Sequence, residues 1–407
     1  MLSNFPDLTP NRLAIKVKPS IEKIIRKGHP WLFEAGITKQ SGEGQAGDLS
    51  IIYDNKKNKL LAIGLYDPFS PIRLKVIQFN KGAKIDENWF AEKIKTAFDK
   101  RESLLKTDTN SYRLINGEND GLPSFIADVY ADVLVVKLYS LIWLPYIKVI
   151  FPLLLAQTGC KTLVLRLSRN VQKESDLLHG LADGQVIHGV LKSEVVIFRE
   201  HGVLFSANVI HGHKTGYFLD HRENRRKVGQ ISKNKTVLDI FSYAGGFSVH
   251  ALAGGAKEVT SLDISAQALE VAQQNALLNL KKPNHKIIVA DAFKAMQELI
   301  DQKKQFDIVV IDPPSFAKRE TERSKALHHY RQLAALGANL IAQNGILVLA
   351  SCSSRVSATD FFDVSIEALD RSNRKYKELE RTTHDVDHPI GFPEGAYLKC
   401  GYYLITS

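Results

Sequence analysis

Cysteine is scarce in this chain. Cys160, Cys352 and Cys400 are spread over 407 positions, too few and too far apart for a disulfide framework or a zinc knuckle. No metal site is therefore expected, and a reducing cytoplasm is the natural setting. Long uninterrupted apolar runs are missing too. The stretch "LIWLPYIKVIFPLLLA" (141–156) is broken by Pro145, Lys148 and Pro152, short of the roughly 20 residues a membrane span needs. The opening "MLSNFPDLTPNR" has no charged start leading into an apolar run, so no signal peptide is expected. No internal repeat or low-complexity tract is evident. Acidic residues are outnumbered: 44 Asp and Glu against 54 Lys and Arg leave a formal charge of +10, which favours a polyanionic partner.

What is present reads as a globular α/β chain, 44% apolar and 24% charged, long enough for two or three domains. Three segments can be separated. Residues 1–78 alternate apolar and polar positions in "LAIKVKPS" and "LSIIYDNKKNKLLAIGLYD", the mark of strands, around a short helical pattern that closes at Gly28 and Pro30. Residues 11–40 hold seven Lys or Arg against two Glu, with Trp31 and Phe33 after the basic run. This is either a solvated basic face or an RNA-binding surface, for which Lys16, Lys18, Arg26 and Lys27 are the candidate residues. Residues 79–190 begin with a helix, "DENWFAEKIKTAFDKRESLL", and continue through strands, a helix at about 142–157 and the strand "KTLVLRL". No catalytic constellation is visible there, so a scaffold or linking role is the default.

From 191 to 407 strand-like runs alternate with helices: "TVLDIF", "EVTSLDIS", "HKIIVAD", "FDIVVIDPP" and "GILVLASC". Such alternation predicts a parallel doubly wound sheet. Two further strand patterns, "KYKELERTT" and "CGYYLITS", have no helix between them and should pair antiparallel. Five parallel strands plus a terminal hairpin fit a Rossmann-like methyltransferase sheet better than a dinucleotide fold.

Ligands of such sheets lie across the carboxyl ends of the strands. The first strand and its loop, "DIFSYAGGFSVHA", offer Asp239, Phe241, Ser242, Gly245 and Gly246, the glycines allowing close backbone approach. Asp263, followed by Ile264, ends the second strand and suits ribose hydroxyls. Asp291, followed by Ala292, ends the third and could accept from an adenine amine, although it could equally cap the next helix. The loop lacks G-x-G-x-x-G, so a pyrophosphate is disfavoured and S-adenosylmethionine fits better. Upstream, "HGHKTGYFLDHR" gathers Lys214, Thr215, Gly216, Tyr217, Asp220 and Arg222. It is a packed turn or a flap over the cofactor, with Lys214 or Arg222 facing its carboxylate. Further on, Arg222, Arg225, Arg226 and Lys227 form a cluster expected to hold phosphates.

The fourth strand ends in "DPPSF". Its prolines make a rigid extended turn that can present Asp312, Pro313, Pro314 and Phe316 to a planar base. Cys352 stands just past the fifth strand. Ser357 and Asp360 are spaced as a capping box, so a helix N-terminus should lie close by, and with Arg355 it would lower the thiol pKa. A thiolate adding to carbon 6 of cytosine would make carbon 5 nucleophilic, while Asp312 holds the N3/N4 edge. The rival reading is a small buried cysteine without chemistry.

Together, "GHPWLF", "YRLINGENDGLP", "HGHKTGYFLDHR", "FSYAGGF", "DPPSF", "SCSS" and "HPIGFPEGAYLK" resemble the ribosomal RNA large subunit methyltransferase I type of cytosine-C5 methyltransferases over nearly the whole chain. The resemblance implies a PUA RNA-binding domain (1–78), a central linking domain (79–190) and a class I methyltransferase domain (191–407). It implies 5-methylcytosine formation in 23S rRNA or a large-subunit assembly intermediate, with Cys352 as nucleophile. The glycine loop, Asp263 and Asp291 would contact S-adenosylmethionine, and Asp312 would face the base, with His388 of "HPIGF" among the substrate contacts. Ser315 stands where a lysine is usual, and "RLSRNVQKE" departs from the pattern. Alternatives are methylation of a guanine or adenine nitrogen without a thiol, or a non-catalytic assembly factor.

Overall fold

The computed structural model describes Leu2 and residues 4–406. They form two compact units. The first comprises the described residues up to Arg199, with Ala207–Leu219 and Val386–Pro393. The second comprises Glu200–Ser206, Asp220–Asp385 and the described residues from Glu394.

The first unit contains two sheets. In the N-terminal one the strands run in the order Trp31–Leu32, Leu74–Phe79, Leu60–Tyr66, Leu49–Tyr53, Arg12–Val17, Ile37–Gln40. The alternation read in "LAIKV" turns Leu13, Ile15 and Val17 into the core and leaves the basic positions outward. The helix Pro19–Arg26 starts on a proline, and the chain leaves it through Gly28 at φ +88°. The second sheet orders Gln185–His188, Thr162–Leu167, Val133–Leu138, Phe125–Tyr130 and Ser111–Asn116.

The apolar stretch of this unit becomes a 3₁₀ turn, Leu141–Tyr146, running into the helix Ile147–Thr158. By length and composition this could cross a membrane. However, Trp143, Ile147, Ile150, Phe151 and Leu154 are buried, as in a core helix. The same core takes in Ile63, Leu65 and Ile77 of the N-terminal sheet.

A strap from late in the chain completes this unit. Asp387 accepts from the Arg113 amide (2.9 Å) and, through its carbonyl, from Arg101 (3.1 Å). The Gly391 amide donates to Asn119 Oδ1 (2.7 Å), and Phe392 packs edge-on to Trp31. "YRLINGENDG" and "HPIGF" are thus packing partners, two motifs of one clamp.

In the second unit the strands are β1 (Thr236–Ile240), β2 (Glu258–Asp263), β3 (His285–Val289), β4 (Phe306–Ile311), β5 (Ile341–Ser351), β6 (Tyr376–Thr382) and β7 (Lys399–Ile405). The helices are α1 (Arg222–Ile231), α2 (Gly246–Ala253), α3 (Ala266–Asn279), α4 (Ala292–Asp301), α5 (Arg323–Leu340) and α6 (Ala358–Asp370). The sheet order is β3-β2-β1-β4-β5-β7-β6. The first five strands are parallel and β7 runs antiparallel to both neighbours. The predicted parallel sheet and terminal antiparallel pair are therefore present, with the last strand inserted between β5 and β6. Winding reverses between β1 and β4, which opens a crevice at their carboxyl ends.

Two elements differ from expectation. The helical pattern read up to Gly345 stops at Leu340, because Ile341 pairs with Phe306 and is fully buried, and a register shift follows. Val195–Glu200 and Val203–Asn208 form a two-stranded ribbon that the sequence did not announce.

Candidate active site

The crevice is lined by carboxylates from three strands. Asp239 lies on β1, and its Oδ2 accepts from the Ser248 amide (3.0 Å) and hydroxyl (2.7 Å) of α2. Its Oδ1 is buried with no hydrogen-bond partner among the described residues. Burial, reinforced by Asp312 and Asp263, pushes its pKa up to about 7 against the Ser248 bonds. Past β1 the chain turns through Phe241 (φ +63°) and Tyr243 (φ +48°), left-handed positions that cost energy for such side chains. Asp263 holds this turn: Oδ2 accepts from the Tyr243 amide and Oδ1 from the Ser265 amide, both at 2.9 Å. Gly245, at φ +78°, ends the turn, and a methyl there would lie 2.7 Å from Ala272 Cβ. Beside Asp263, Ile264 is 73% exposed, an apolar face with nothing packed on most of it. Asp291 caps α4 by accepting from the Lys294 amide (3.1 Å), and Ala292 is buried beneath it.

These residues fit S-adenosylmethionine. A ligand carrying a sulfonium and an ammonium suits mutually repelling carboxylates and the unpartnered Asp239 Oδ1. The buried Ser242 hydroxyl also lacks a partner among the described residues. A phosphate-bearing cofactor would meet the same carboxylates unfavourably.

At the end of β4 the Asp312 side chain is about one-quarter exposed, with His221 Nε2 3.4 Å from its Oδ1. Asn224 Oδ1 accepts from the Thr382 hydroxyl (2.6 Å) and the Tyr402 hydroxyl (3.0 Å). The Asn224 amide nitrogen therefore faces His221 Nδ1 at 3.1 Å, which assigns a proton to the Nε2 side, toward Asp312. Burial alone would lower the His221 pKa, but the Asp312 and Asp220 carboxylates outweigh it and raise it. Pro313 is buried and Pro314 exposed. Phe316 is half-buried, edge-on to Tyr330 with centroids 5.3 Å apart.

Cys352, just past β5, is partly exposed, and its Sγ–H donates to the Pro313 carbonyl at 3.7 Å. Cys160 and Cys400 are both buried, and burial raises both thiol pKa values, that of Cys400 to about 12. The capping residue Ser357 accepts from the Asp360 amide at 3.1 Å, so the N-terminus of α6 follows the Cys352 loop.

Several expectations need correction. Arg355 is exposed on its loop. The buried cation near Cys352 is Lys399, which sequence reasoning missed. Its signal was a lysine opening an otherwise apolar strand, and it pairs directly across from Ser351. Arg222 is fully buried and paired to Asp385 at 2.8 Å, so it is unavailable to a cofactor carboxylate. The members of the expected phosphate cluster all have acidic partners, Arg222 and Arg225 in the interior and Arg226 and Lys227 in partly exposed pairs. Arg225 makes two bonds to buried Glu200 (2.6 and 2.8 Å), Arg226 pairs with Glu223 and Lys227 with Glu380.

In the first unit Thr215 is buried and donates to Asp128 (2.6 Å), while the Tyr217 amide donates to the Tyr130 hydroxyl (3.1 Å). Their side chains pack that unit's interior, as a packed turn requires. Gly216 is buried and Lys214 is exposed, its Nζ 4.8 Å from the Phe218 ring centroid. Asp220, in the second unit, accepts from the Tyr397 hydroxyl at 2.8 Å. His388 is 1% exposed with Nδ1 on Asp387 (2.8 Å), a clamp residue rather than a substrate contact. Lys18, Arg26 and Lys27 are exposed and Lys16 is half-buried.

A β3-β2-β1-β4-β5-β7-β6 sheet with acidic strand ends and a D-P-P turn defines a class I S-adenosylmethionine-dependent methyltransferase. Residues 189–396 match the S-adenosylmethionine-dependent methyltransferase family, and residues 15–79 match the PUA-like domain. The chain is 44% identical over 395 residues to a ribosomal RNA large subunit methyltransferase of Deinococcus radiodurans, covering 95% of this chain and 96% of that one. It is 36% identical to the ribosomal RNA large subunit methyltransferase I of Aeromonas salmonicida, covering 93% and 96%. A solved candidate methyltransferase complexed with S-adenosylhomocysteine shares the fold, with TM-score 0.81, 21% identity and coverage of 97% and 100%. The chain belongs to the S-adenosylmethionine-dependent methyltransferase family, in the group of the ribosomal RNA large subunit methyltransferase I relatives. S-adenosylmethionine is its cofactor.

Proposed function

We propose that this protein methylates carbon 5 of a cytosine in 23S rRNA, through a transient bond between Cys352 and the base. The observation that carries the reading is the Cys352 thiol against the Pro313 carbonyl, beside Asp312 at the end of β4. The sulfur is thus held against the residue that follows the Asp312 carboxylate, at the edge of the crevice. The methyltransferase unit, about 191–407, carries the chemistry. The PUA-like segment, about 1–78, holds RNA, and 79–190 links them. The names of the relatives support large-subunit rRNA as the substrate; free 23S rRNA or an assembly intermediate, in the cytoplasm, is the proposed setting.

Bound S-adenosylmethionine supplies an electrophilic methyl group. Asp239, Ser242, Asp263 and Ile264 would hold it. Cys352 adds to carbon 6, which makes carbon 5 an enamine-type nucleophile. Asp312 accepts from the exocyclic amine, or in its protonated form donates to N3, and His221 keeps it oriented. After methylation a base takes the carbon-5 proton and the thiolate leaves. The target is an unpaired or flipped-out cytosine, since a stacked one presents neither face to sulfur.

Replacing Cys352 with Ala is expected to abolish transfer of labelled methyl to rRNA, by about 10³-fold or more. Target RNA bearing 5-fluorocytidine should become covalently trapped on the wild type only. Retained turnover in Cys352→Ala would overturn the mechanism and point to another base atom.

A further inference from the structure

The mechanism uses the sulfur of Cys352 but leaves a buried lysine beside it without a task. Lys399, on β7, is 2% exposed. Its Nζ donates to the carbonyls of Ser353 (2.5 Å) and Val356 (2.8 Å), two positions of the short loop that begins at Cys352 and ends at the α6 cap. A buried ammonium is costly and is seldom retained where a neutral side chain would pack as well. Two carbonyl bonds satisfy two of its three N–H donors. The titratable group that acts on this lysine is the Cys352 thiol. Burial pulls Lys399 down to about 8, and the developing charge on Cys352 opposes that fall. The interaction is reciprocal: whatever a thiolate does for the ammonium, the ammonium does for the thiolate.

We propose that Lys399 is a positioning residue that fixes the Cys352 loop through its two carbonyls and favours the thiolate form of the nucleophile. This deepens the role given to Cys352 above and rests on it. The groups facing the sulfur from neighbouring elements pull in different directions. The Pro313 carbonyl, at the end of β4, accepts from the thiol and favours the protonated form. Asp312 on the same turn adds negative charge. Tyr330, from α5, interacts with both Cys352 and Asp312; burial and these charges raise its pKa, so it stays neutral while accepting from Ser351 at 2.9 Å. Against these, Lys399 is the buried positive group, and Arg355 is exposed. The thiol proton goes to water, and the ion pair exists between the thiol pKa and about 8, where Lys399 itself deprotonates.

The test reads Cys352 alone and needs no RNA. The rate of iodoacetamide alkylation is followed against pH on the full-length protein, with the modified peptide resolved by mass. In the wild type the midpoint should lie clearly below the ordinary thiol value of about 8.5. Lys399→Met removes the charge while keeping an apolar stem, and its midpoint should rise by about one unit, slowing alkylation at pH 7 by about tenfold. Lys399→Arg keeps the charge and should stay near the wild type. A wild-type midpoint at the ordinary value overturns the proposal without any variant, which covers the case in which Lys399→Met does not fold. An unshifted midpoint in a folded Lys399→Met protein overturns it as well. Because alkylation does not depend on methyl transfer, active Cys352→Ala enzyme would defeat the nucleophile assignment while leaving this profile to stand or fall separately.

Discussion

At the scale of single residues the site depends on carboxylates kept in unfavourable company. Asp239 is buried, half-satisfied by Ser248 and crowded by Asp263 and Asp312, so its pKa is pushed up to about 7, well above the usual carboxylate range. A carboxyl whose folded-state pKa is raised contributes stability that is complete below the unfolded value and is lost as pH rises through the folded one. The cofactor-free protein should therefore lose thermal stability between about pH 4 and pH 7 from this group. Asp239→Asn should flatten that decline, and differential scanning fluorimetry at pH 5 and pH 7.5 measures it. Identical pH dependence in wild type and variant would exclude Asp239 as the cause. Bound S-adenosylmethionine should reduce the decline in the wild type, because its cationic groups offset the ionised carboxylate. Asp239, Asp263 and Asp291 were all legible as strand-end acids. That Asp263 holds the Tyr243 turn was decided only by the fold, because the two residues lie on different strand ends.

At the scale of elements, helix starts were easier to read than strand starts. Ser265, Asp291 and Ser357 all cap the helices that follow them, because a cap is a local event involving three or four consecutive residues. The beginning of β5 was not legible, since Ile341 becomes a strand residue only by pairing with Phe306 of another strand. Helix packing here is tight around glycine. Gly254, at the end of α2, sits so close to α1 that a methyl group would lie 1.9 Å from the Gly229 carbonyl oxygen. Gly254 has an ordinary φ of −75°, so the constraint is space and not backbone conformation. Gly254→Ala should force the two helices apart and destabilise the protein by about 1–3 kcal/mol. Urea unfolding followed by circular dichroism tests this, and a midpoint equal to the wild type would show that the helices can shift at no cost.

For the whole molecule, a charge of +10 favours a polyanionic partner, and the structure divides the basic residues into two populations. Arg222, Arg225, Arg226 and Lys227 are paired inside the methyltransferase unit. Lys18, Lys23, Arg26 and Lys27 are exposed on the PUA-like segment. If the exposed set holds RNA phosphates, binding should weaken linearly in a plot of log affinity against log salt. Replacing Lys18, Lys23 and Lys27 together with Ala should reduce that slope by about 2. Filter binding to an rRNA fragment at several salt concentrations reads it directly, and an unchanged slope would remove this face from the RNA contact. Substituting Lys227 should leave the slope unchanged.

The sequence by itself determined the alternation of strand and helix, the acids at the strand ends, the rigid D-P-P turn and the exceptional place of Cys352. Each of these is carried by neighbours within a few residues, through periodicity, capping or proline geometry. Only the tertiary structure decided which charges are spent and which are offered. Arg222 and Arg225 are buried because Asp385 and Glu200 come to them from distant positions. Lys399 reaches the Cys352 loop because β7 inserts beside β5 and sets it opposite Ser351. A side chain's charge is local, but its partner is chosen by strand order, which no short window of sequence contains.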